Sequence, residues 1–550
     1  AWLRQSDIVK LFGLEYEFPD WFGPSPDSGA FLSRNLLHPA FIYPLSWRLL
    51  LAFALVFSGF AIGIWARELF VEAENLPFPM QKMSAETVLV LTGEEEGKEG
   101  GEFPSRILCS AAVIGFLYGF ALYALPFVYQ SWTGQYRSFI PIPWFDWSSQ
   151  IERFLPGAFL GLATDLGFYT LGFVLPFATV LQMFIGSFAM WVIGAWLTVY
   201  LNPPYGPFDW WFTGMPVQTG WGRAWLYFFT TPYIGLGFAA ALMPPLFHSR
   251  LLIRAFSSRA RSLKERLSDP VPGGKWTIIV PIIAIIIVTS ALFIFFTGDF
   301  FMEYPWVLPL FIVVPFINIL LIGRGLGETG VTISVTGVTN IIYYLVKAPT
   351  AVWMAPQPGA ISGGYGAPAP SEWLARFKLA QLTETKASSL LKISLLFLPI
   401  ATVVSFLFMQ VLWSMAPIPS EKFPGPAIFW PAEAAITCVW IKGREAGLFN
   451  VPNLVYAFIG GAAIYAFSYF SHLPISLISL TAGASQPPHF ALAWFIGGIV
   501  ALGLRRVLGK EFWGRYRYIL AGGIALGEGI AVTLGVSIAL IINSLWTLPW

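Results

Sequence analysis

The sequence predicts an all-α fold, a polytopic bundle of transmembrane helices, and two features of its composition support this class. Apolar residues make up 56% of the 550 residues and charged residues only 11%, whereas a soluble domain carries about 25% charged residues. Aromatic residues make up 17%, as expected where Trp and Tyr mark both membrane interfaces. So few charges cannot cover the surface of a soluble chain of this length, whereas a surface that faces lipid needs no such covering.

Apolar stretches long enough to cross a bilayer recur along the chain, and they are the third observation. A spanning helix needs about 20 predominantly apolar residues. On that basis we predict about 12 spans, with the long stretch 154–201 divided in two. The predicted spans lie near 45–66, 108–128, 154–177, 179–201, 224–246, 277–297, 305–323, 388–413, 429–447, 452–470, 488–505 and 517–546.

Residues 324–350 do not fit this pattern. They are too polar and too rich in Gly and Thr for a span, yet too apolar for a loop. Non-helical backbone at membrane depth occurs only within protein or against a water-filled cavity. We therefore predict a re-entrant or broken segment here, within one transmembrane domain that covers 45–550. No internal repeat is evident in the sequence, and the aromatic, Pro-rich residues 1–44 form a separate N-terminal segment.

Basic residues predict the orientation of this multi-pass protein in the cell membrane. Loops rich in Lys and Arg face the cytoplasm, so we place 248–276 and 505–517 there, together with Lys442 and Arg444. Counting spans from these loops puts residues 1–44 outside. Lys378 falls on the cytoplasmic side, where we expect a solvated lysine.

Several function classes are excluded by residues that the chain lacks. Cys109 and Cys438 are the only cysteines, which argues against a disulfide framework or a thiolate metal site. The four histidines are scattered, without the pairing that haem or copper redox centres need. A net charge of +2 leaves no nucleic-acid footprint. No Walker, HExxH or GxSxG motif is present, so we predict neither direct use of ATP, nor an enzyme, nor a cofactor, nor a resident metal.

Acidic residues inside predicted spans are the first candidates for function. Glu528 lies well within the last span, where a charged carboxylate must be paired, hydrogen-bonded or protonated. It is a candidate proton carrier, or else a protonated group that serves only packing. Asp165 is a second proton-site candidate if the span near it is correctly placed, and otherwise a helix cap.

The polar segment near residue 324 supplies further candidates. Arg324 and Glu328 are four residues apart, so on a helix they share one face. With Thr329 and the nearby glycines they would form a broken backbone that exposes polar groups to a substrate, as in secondary carriers. The alternative is that Arg324 marks the cytoplasmic boundary and pairs locally with Glu328. Glu86 is a candidate for the substrate path.

Three stretches, in this order, resemble the oligopeptide transporter superfamily. They are Leu76-Pro77-Phe78-Pro79 leading to Glu86, Gly323-Arg324-Gly325-Leu326-Gly327-Glu328-Thr329-Gly330, and the segment LAGGIALGEG that contains Glu528. The resemblance implies a proton-coupled symporter of oligopeptides or metal-chelate complexes. Its partners would be the lipid bilayer, protons and a peptide or other small-molecule substrate.

The resemblance also implies helices ahead of Leu76, where this chain has only residues 1–44 and one span. We expect these helices to be missing, replaced, or supplied by a second chain. This expectation keeps open an alternative function, that of a non-transporting, carrier-derived subunit of a larger membrane complex.

Overall fold

A computed structural model describes residues 2–93, 103–135, 137–201, 211–247, 300–333, 337–354, 369–420, 423–442 and 450–545. Most of this part of the chain is helical. Seven of its helices are long and apolar enough to cross a membrane, which confirms the all-α, polytopic class. The helices used below are α1 (Ile42–Ala66), α2 (Pro79–Leu91), α3 (Phe103–Thr133), α4 (Leu166–Val174), α5 (Phe177–Tyr200), α6 (Val217–Pro244), α7 (Val307–Thr329), α8 (Gly337–Leu345), α9 (Pro370–Leu382), α10 (Ala387–Met415), α11 (Pro424–Lys442), α12 (Val451–Ser471), α13 (Leu477–Ala484), α14 (Pro488–Leu508) and α15 (Lys510–Leu545).

Most predicted spans correspond to one of these helices, and the spans predicted at 277–297 and 154–177 are the two exceptions. The span predicted at 277–297 lies outside the described residues, as does the loop 248–276. The span predicted at 154–177 is wrong. A short hairpin pairs Trp144–Asp146 (β1) with Gly161–Ala163 (β2), and the nine-residue helix α4 follows. Pro176 holds Leu175 in an extended conformation, because a residue before proline disfavours helical backbone.

The break in the polar segment begins later than predicted. Helix α7 continues through Arg324 and Glu328 to Thr329, and it ends where Gly330 adopts a left-handed conformation with φ of 70°. The glycines before it are part of the helix, and neighbouring side chains pack closely onto them, Phe70 on Gly323 and Leu76 on Gly327. Arg324 and Glu328 are therefore fixed on a regular helix rather than on an irregular loop.

The N-terminal segment, residues 1–44, packs against the helices α10 and α11. The carboxylate of Glu17 pairs with Lys442 at the end of α11 at 3.1 Å, and the amide of Leu36 donates to Gln410 of α10 at 2.8 Å. Glu17 and Lys442 thus lie on the same side of the molecule. The predictions that residues 1–44 face outward and that Lys442 faces the cytoplasm cannot both hold.

Two helix pairs in the chain share a sequence pattern. The short helix α4 and the eight-residue α13 each lead through a proline into a long helix, α5 and α14. The pattern Leu-x3-Thr-x-Gly-x3-Pro begins at Leu166 and again at Leu477, and Phe-Ile-Gly follows at the same spacing in 184–186 and 495–497. The expectation of no internal repeat is wrong. The identities are too few and too scattered to stand out among apolar helices.

These two helix pairs exchange partners. Helix α4 packs on α14, and α13 packs on α5. Two reciprocal contacts show the relationship. A Cβ on Gly186 of α5 would collide with the carbonyl oxygen of Leu480, and a Cβ on Gly497 of α14 would collide with that of Tyr169. Because each contact has its counterpart, the pairs are related as in an isologous, two-fold interface.

The flanking helices extend the repeat. Helix α3 packs along α15, and α12 packs along α6. A Cβ on Gly119 would lie 2.9 Å from Ala531 Cβ, and a Cβ on Gly461 would lie 2.7 Å from Ala239 Cβ. We call α3–α6 the first unit and α12–α15 the second unit. Their correspondence aligns the sequence GLGFA at 235–239 of α6 with GEGIA at 527–531 of α15.

Candidate functional site

Glu528 binds the N-terminus of a helix from the other unit. Its side chain lies in α15, and the residue is 6% exposed. Oε1 accepts a hydrogen bond from the amide of Leu166, and Oε2 accepts one from the amide of Gly167, each at 2.8 Å. These are the first two amides of α4, which the bonds of the helix itself leave free. The helix dipole adds partial positive charge at this end, so the site suits a carboxylate.

Asp165 lies directly beside this contact. It occupies the N-cap position of α4, with extended backbone, but its side chain makes no capping bond. Instead it accepts a hydrogen bond from the hydroxyl of Tyr123, while Glu528 binds the next two amides. The structure therefore brings together two of the predicted candidates, and it leaves Asp165 free of the capping role that was the alternative for it.

Tyrosine side chains complete this site, and none of them is among the candidates predicted from the sequence. Tyr123 bonds Asp165, Tyr118 donates to the carbonyl of Thr164 at 2.7 Å, and Tyr169 donates to that of Ala163 at 2.8 Å. In an apolar helix a tyrosine resembles any other core aromatic residue. The signal that could have found them is that a buried hydroxyl needs a partner, and Asp165 was a polar group nearby in the chain.

Glu328 occupies a related place in the other half of the molecule. The hydroxyl of Ser476 lies 3.4 Å from Glu328 Oε2. Ser476 is the N-cap of α13, and its Oγ accepts a hydrogen bond from the amide of Ser479. Glu328 also lies 3.8 Å from Arg324 Nη1, but the shorter ion pair of Arg324 is with Glu74, at 2.7 Å. The local pairing predicted for Arg324 and Glu328 is present, and Glu74 is the partner that sequence reasoning missed.

Thr329 and Glu86 have other surroundings. Thr329 is fully buried; its hydroxyl donates to the carbonyl of Gly325 at 2.6 Å and accepts from the amide of Val331 at 3.2 Å. These bonds close the end of α7, so its hydroxyl is engaged in helix termination. Glu86 lies on α2, and neither glutamate site defined above includes it.

The segment Leu76–Pro79 contacts the end of α7 directly. The amide of Phe78 donates to the carbonyl of Gly327 at 2.9 Å. Lys378 of α9 lies against the same segment, with its Nζ 5.8 Å from the centre of the Phe78 ring and 3.1 Å from Gln381 Oε1. It is only 7% exposed, so the prediction of a solvated lysine is wrong. Burial, with the nearby charge of Lys82, lowers the pKa of Lys378.

The comparison with known families decides the class of protein. The family model of the OPT oligopeptide transporter protein matches residues 33–540. The chain belongs to the OPT oligopeptide transporter family. Members of this family are membrane transporters of oligopeptides or similar substrates rather than enzymes. A search of curated proteins gave no match. Both glutamate sites of this OPT family chain, and all three tyrosines, lie within the matched residues.

Proposed function

We propose that this OPT family protein is a secondary active transporter of the cell membrane, in which proton movement drives symport of oligopeptides or metal-chelate complexes. Glu528 is the main proton-carrying group in this proposal, and Asp165 and Glu328 are its associates. The observation that supports it most is the pair of hydrogen bonds from α4 to the Glu528 carboxylate, next to a second carboxyl group.

Opposing influences act on Glu528, as a reversible proton site requires. Two amides and a helix dipole favour its charged form, whereas burial and the neighbouring carboxyl group of Asp165 disfavour it. A protonated carboxyl group is a weaker acceptor than a carboxylate. Gaining a proton would therefore weaken the contact between α15 and α4, which belong to different units. The proton state is thereby linked to the arrangement of the two units.

Such a link is what alternating access needs. In secondary carriers, repeated bundles rock against each other around a substrate site formed by broken helices. Here the short helices α4 and α13 each end at a proline-containing break. Glu528 binds the N-terminal amides of α4, and Glu328 lies 3.4 Å from the hydroxyl of the N-cap Ser476 of α13. In the proposed transporter, substrate binds between the segment 324–350 and the helices α13–α15.

The alternative is a carrier-derived subunit that acts only with a second chain. Its support is the apolar surface of two spanning helices, Ser389–Met415 and Val451–Ser471. In each of them only 6% of the most apolar 18-residue stretch is buried within the protein. Lipid or a second chain would cover these faces. In the proposal that we favour, lipid covers them.

Uptake into proteoliposomes that contain only this chain tests the proposal. An inward proton gradient is imposed, and short peptides and metal chelates are offered to wild type, Glu528→Gln and the control Glu511→Gln, which changes an exposed residue of the same helix. We expect uptake by wild type and the control, and none by Glu528→Gln. Unchanged uptake by Glu528→Gln would remove Glu528 from the proton path, and a wild type that takes up neither substrate would favour the subunit.

A further inference from the structure

The repeat shows that one unit has a carboxylate at a position where the other has an apolar side chain. Gly527 of α15 faces the carbonyl of Ala112 just as Gly235 of α6 faces that of Leu454. The residue after each glycine is Glu528 in α15 and Leu236 in α6. Leu236 packs against the apolar cluster that contains Leu477 and Ile478 of α13. A Cβ on Gly461 would lie 3.1 Å from Leu236 Cδ1, as a Cβ on Gly119 would lie 3.4 Å from Glu528 Cγ, so the repeat gives Leu236 the place towards α13 that Glu528 has towards α4.

The N-terminus of α13 consequently lacks the carboxylate that its counterpart binds. The repeat aligns the amides of Leu166 and Gly167, which bind Glu528, with those of Leu477 and Ile478. Leu477 and Ile478 are each only 3% exposed, and within the described part of the chain their amides have no hydrogen-bond partner. Buried amides without partners are unfavourable, so an acceptor is expected there.

Glu328 is the acidic group that reaches this end of α13. It comes from α7, outside both units, and its Oε2 lies 3.4 Å from the hydroxyl of the N-cap Ser476. Its contact with Arg324 is also long, at 3.8 Å, compared with about 2.8 Å for a short charged hydrogen bond. Arg324 keeps Glu74 at 2.7 Å, so it stays paired when Glu328 leaves it.

We propose that Glu328 replaces, in the second unit, the carboxylate that Leu236 does not supply. It moves between Arg324 and the first amides of α13, and in the second position it holds α13 as Glu528 holds α4. Resting on the proposed transport function, this makes Glu328 the coupling residue of the second unit. The transporter then has two coupling glutamates, one for each short helix, and only Glu528 occupies the place set by the repeat.

A rescue experiment tests this equivalence. The variants are Glu328→Gln, the double variant Glu328→Gln with Leu236→Glu, and the matched double variant Glu328→Gln with Leu236→Gln, which adds an amide of the same size without charge. Hydrogen exchange of the peptide that covers α13 is measured by mass spectrometry on the purified protein, and gradient-driven uptake is measured in liposomes.

We expect roughly tenfold faster exchange at the start of α13 in Glu328→Gln, the size that losing one N-terminal cap produces. Leu236→Glu should restore slow exchange and part of the uptake, and Leu236→Gln should restore neither. Exchange at the wild-type rate in Glu328→Gln would overturn the proposal. So would a double variant with Leu236→Gln that slows exchange as much as the one with Leu236→Glu. Because exchange does not depend on transport, a wild type without uptake would contradict the proposed function while leaving this result decisive for Glu328.

Discussion

Gly172 of α4 and Gly483 of α13 occupy equivalent positions in the two units, and each lies against the main chain of a long helix from the opposite unit. A Cβ on Gly172 would meet the carbonyl oxygen of Trp494, and a Cβ on Gly483 would collide with that of Met183. Small residues allow membrane helices to approach this closely. The two short helices are therefore held by backbone contact, which fixes the amides that Glu528 binds and the helix end near which Glu328 lies.

Replacing Gly483 with alanine should destabilise the protein. The added methyl group has no room beside the carbonyl of Met183, and forced overpacking costs about 1–3 kcal/mol. The control is Gly503→Ala on α14, where the new Cβ meets nothing within 4 Å. A thermal unfolding assay in detergent compares the two. Equal melting temperatures would contradict the close packing of α13 on α5.

Removing the hydroxyl of Tyr123 should impair transport. Tyr123→Phe takes away the hydrogen bond to Asp165, and a bond to a charged group is worth about 1.5–3 kcal/mol, so we expect a loss of uptake of about tenfold or more. Tyr129→Phe, on the same helix, is the control and should transport normally. Uptake by Tyr123→Phe at the wild-type rate would show that the partner of Asp165 plays no part in the proton step.

Replacing Arg324 with glutamine should lower the stability of the protein strongly. The side chains of Arg324 and Glu74 are 17% and 15% exposed, so Arg324→Gln removes a largely buried positive charge that lies 2.7 Å from Glu74 and 3.8 Å from Glu328. Removing one partner of such a pair costs about 3–5 kcal/mol. The double variant Arg324→Gln with Glu74→Gln should recover part of the loss in melting temperature. A double variant no more stable than the single one would show that the charge of Glu74 is not the cause of the loss.

Lys378 should make stability depend on pH in the alkaline range. Its pKa in the folded protein is lowered, first by burial and then by Lys82, so between that pKa and the ordinary value the unfolded chain binds more protons. The cost of burying the charge is then complete below the lowered pKa and declines as pH rises towards the ordinary value. Lys378→Met should raise the apparent melting temperature at neutral pH, with a gain that shrinks in alkali.

The control for this prediction is Lys386→Met, at an exposed position, which should show no such trend with pH. Lower stability of Lys378→Met at neutral pH would mean that the contacts with Gln381 and Phe78 outweigh the buried charge.

Individual candidates show how far the sequence could be taken. Glu528 was predictable because a carboxylate in an apolar span must have a function or a partner. Asp165 was predicted with the wrong helix around it, since the apolar run 154–177 contains the hairpin and a short helix in place of a span. Glu74 was not predicted, because its role depends on Arg324, which is close only after the segment Leu76–Pro79 has folded against α7.

Composition, apolar run length and buried charge by themselves determined that this chain is a polytopic helical membrane protein with Glu528 and Glu328 as acidic candidates. These properties are local, because lipid acts on each segment through its own hydrophobicity and length. Only the tertiary structure decided which helix ends the two glutamates approach and that the two units repeat. It also decided that Leu236 of the first unit occupies the position equivalent to that of Glu528 in the second. Those facts depend on contacts between helices far apart in the chain, and apolar helices of similar sequence can make many such contacts until packing selects one set.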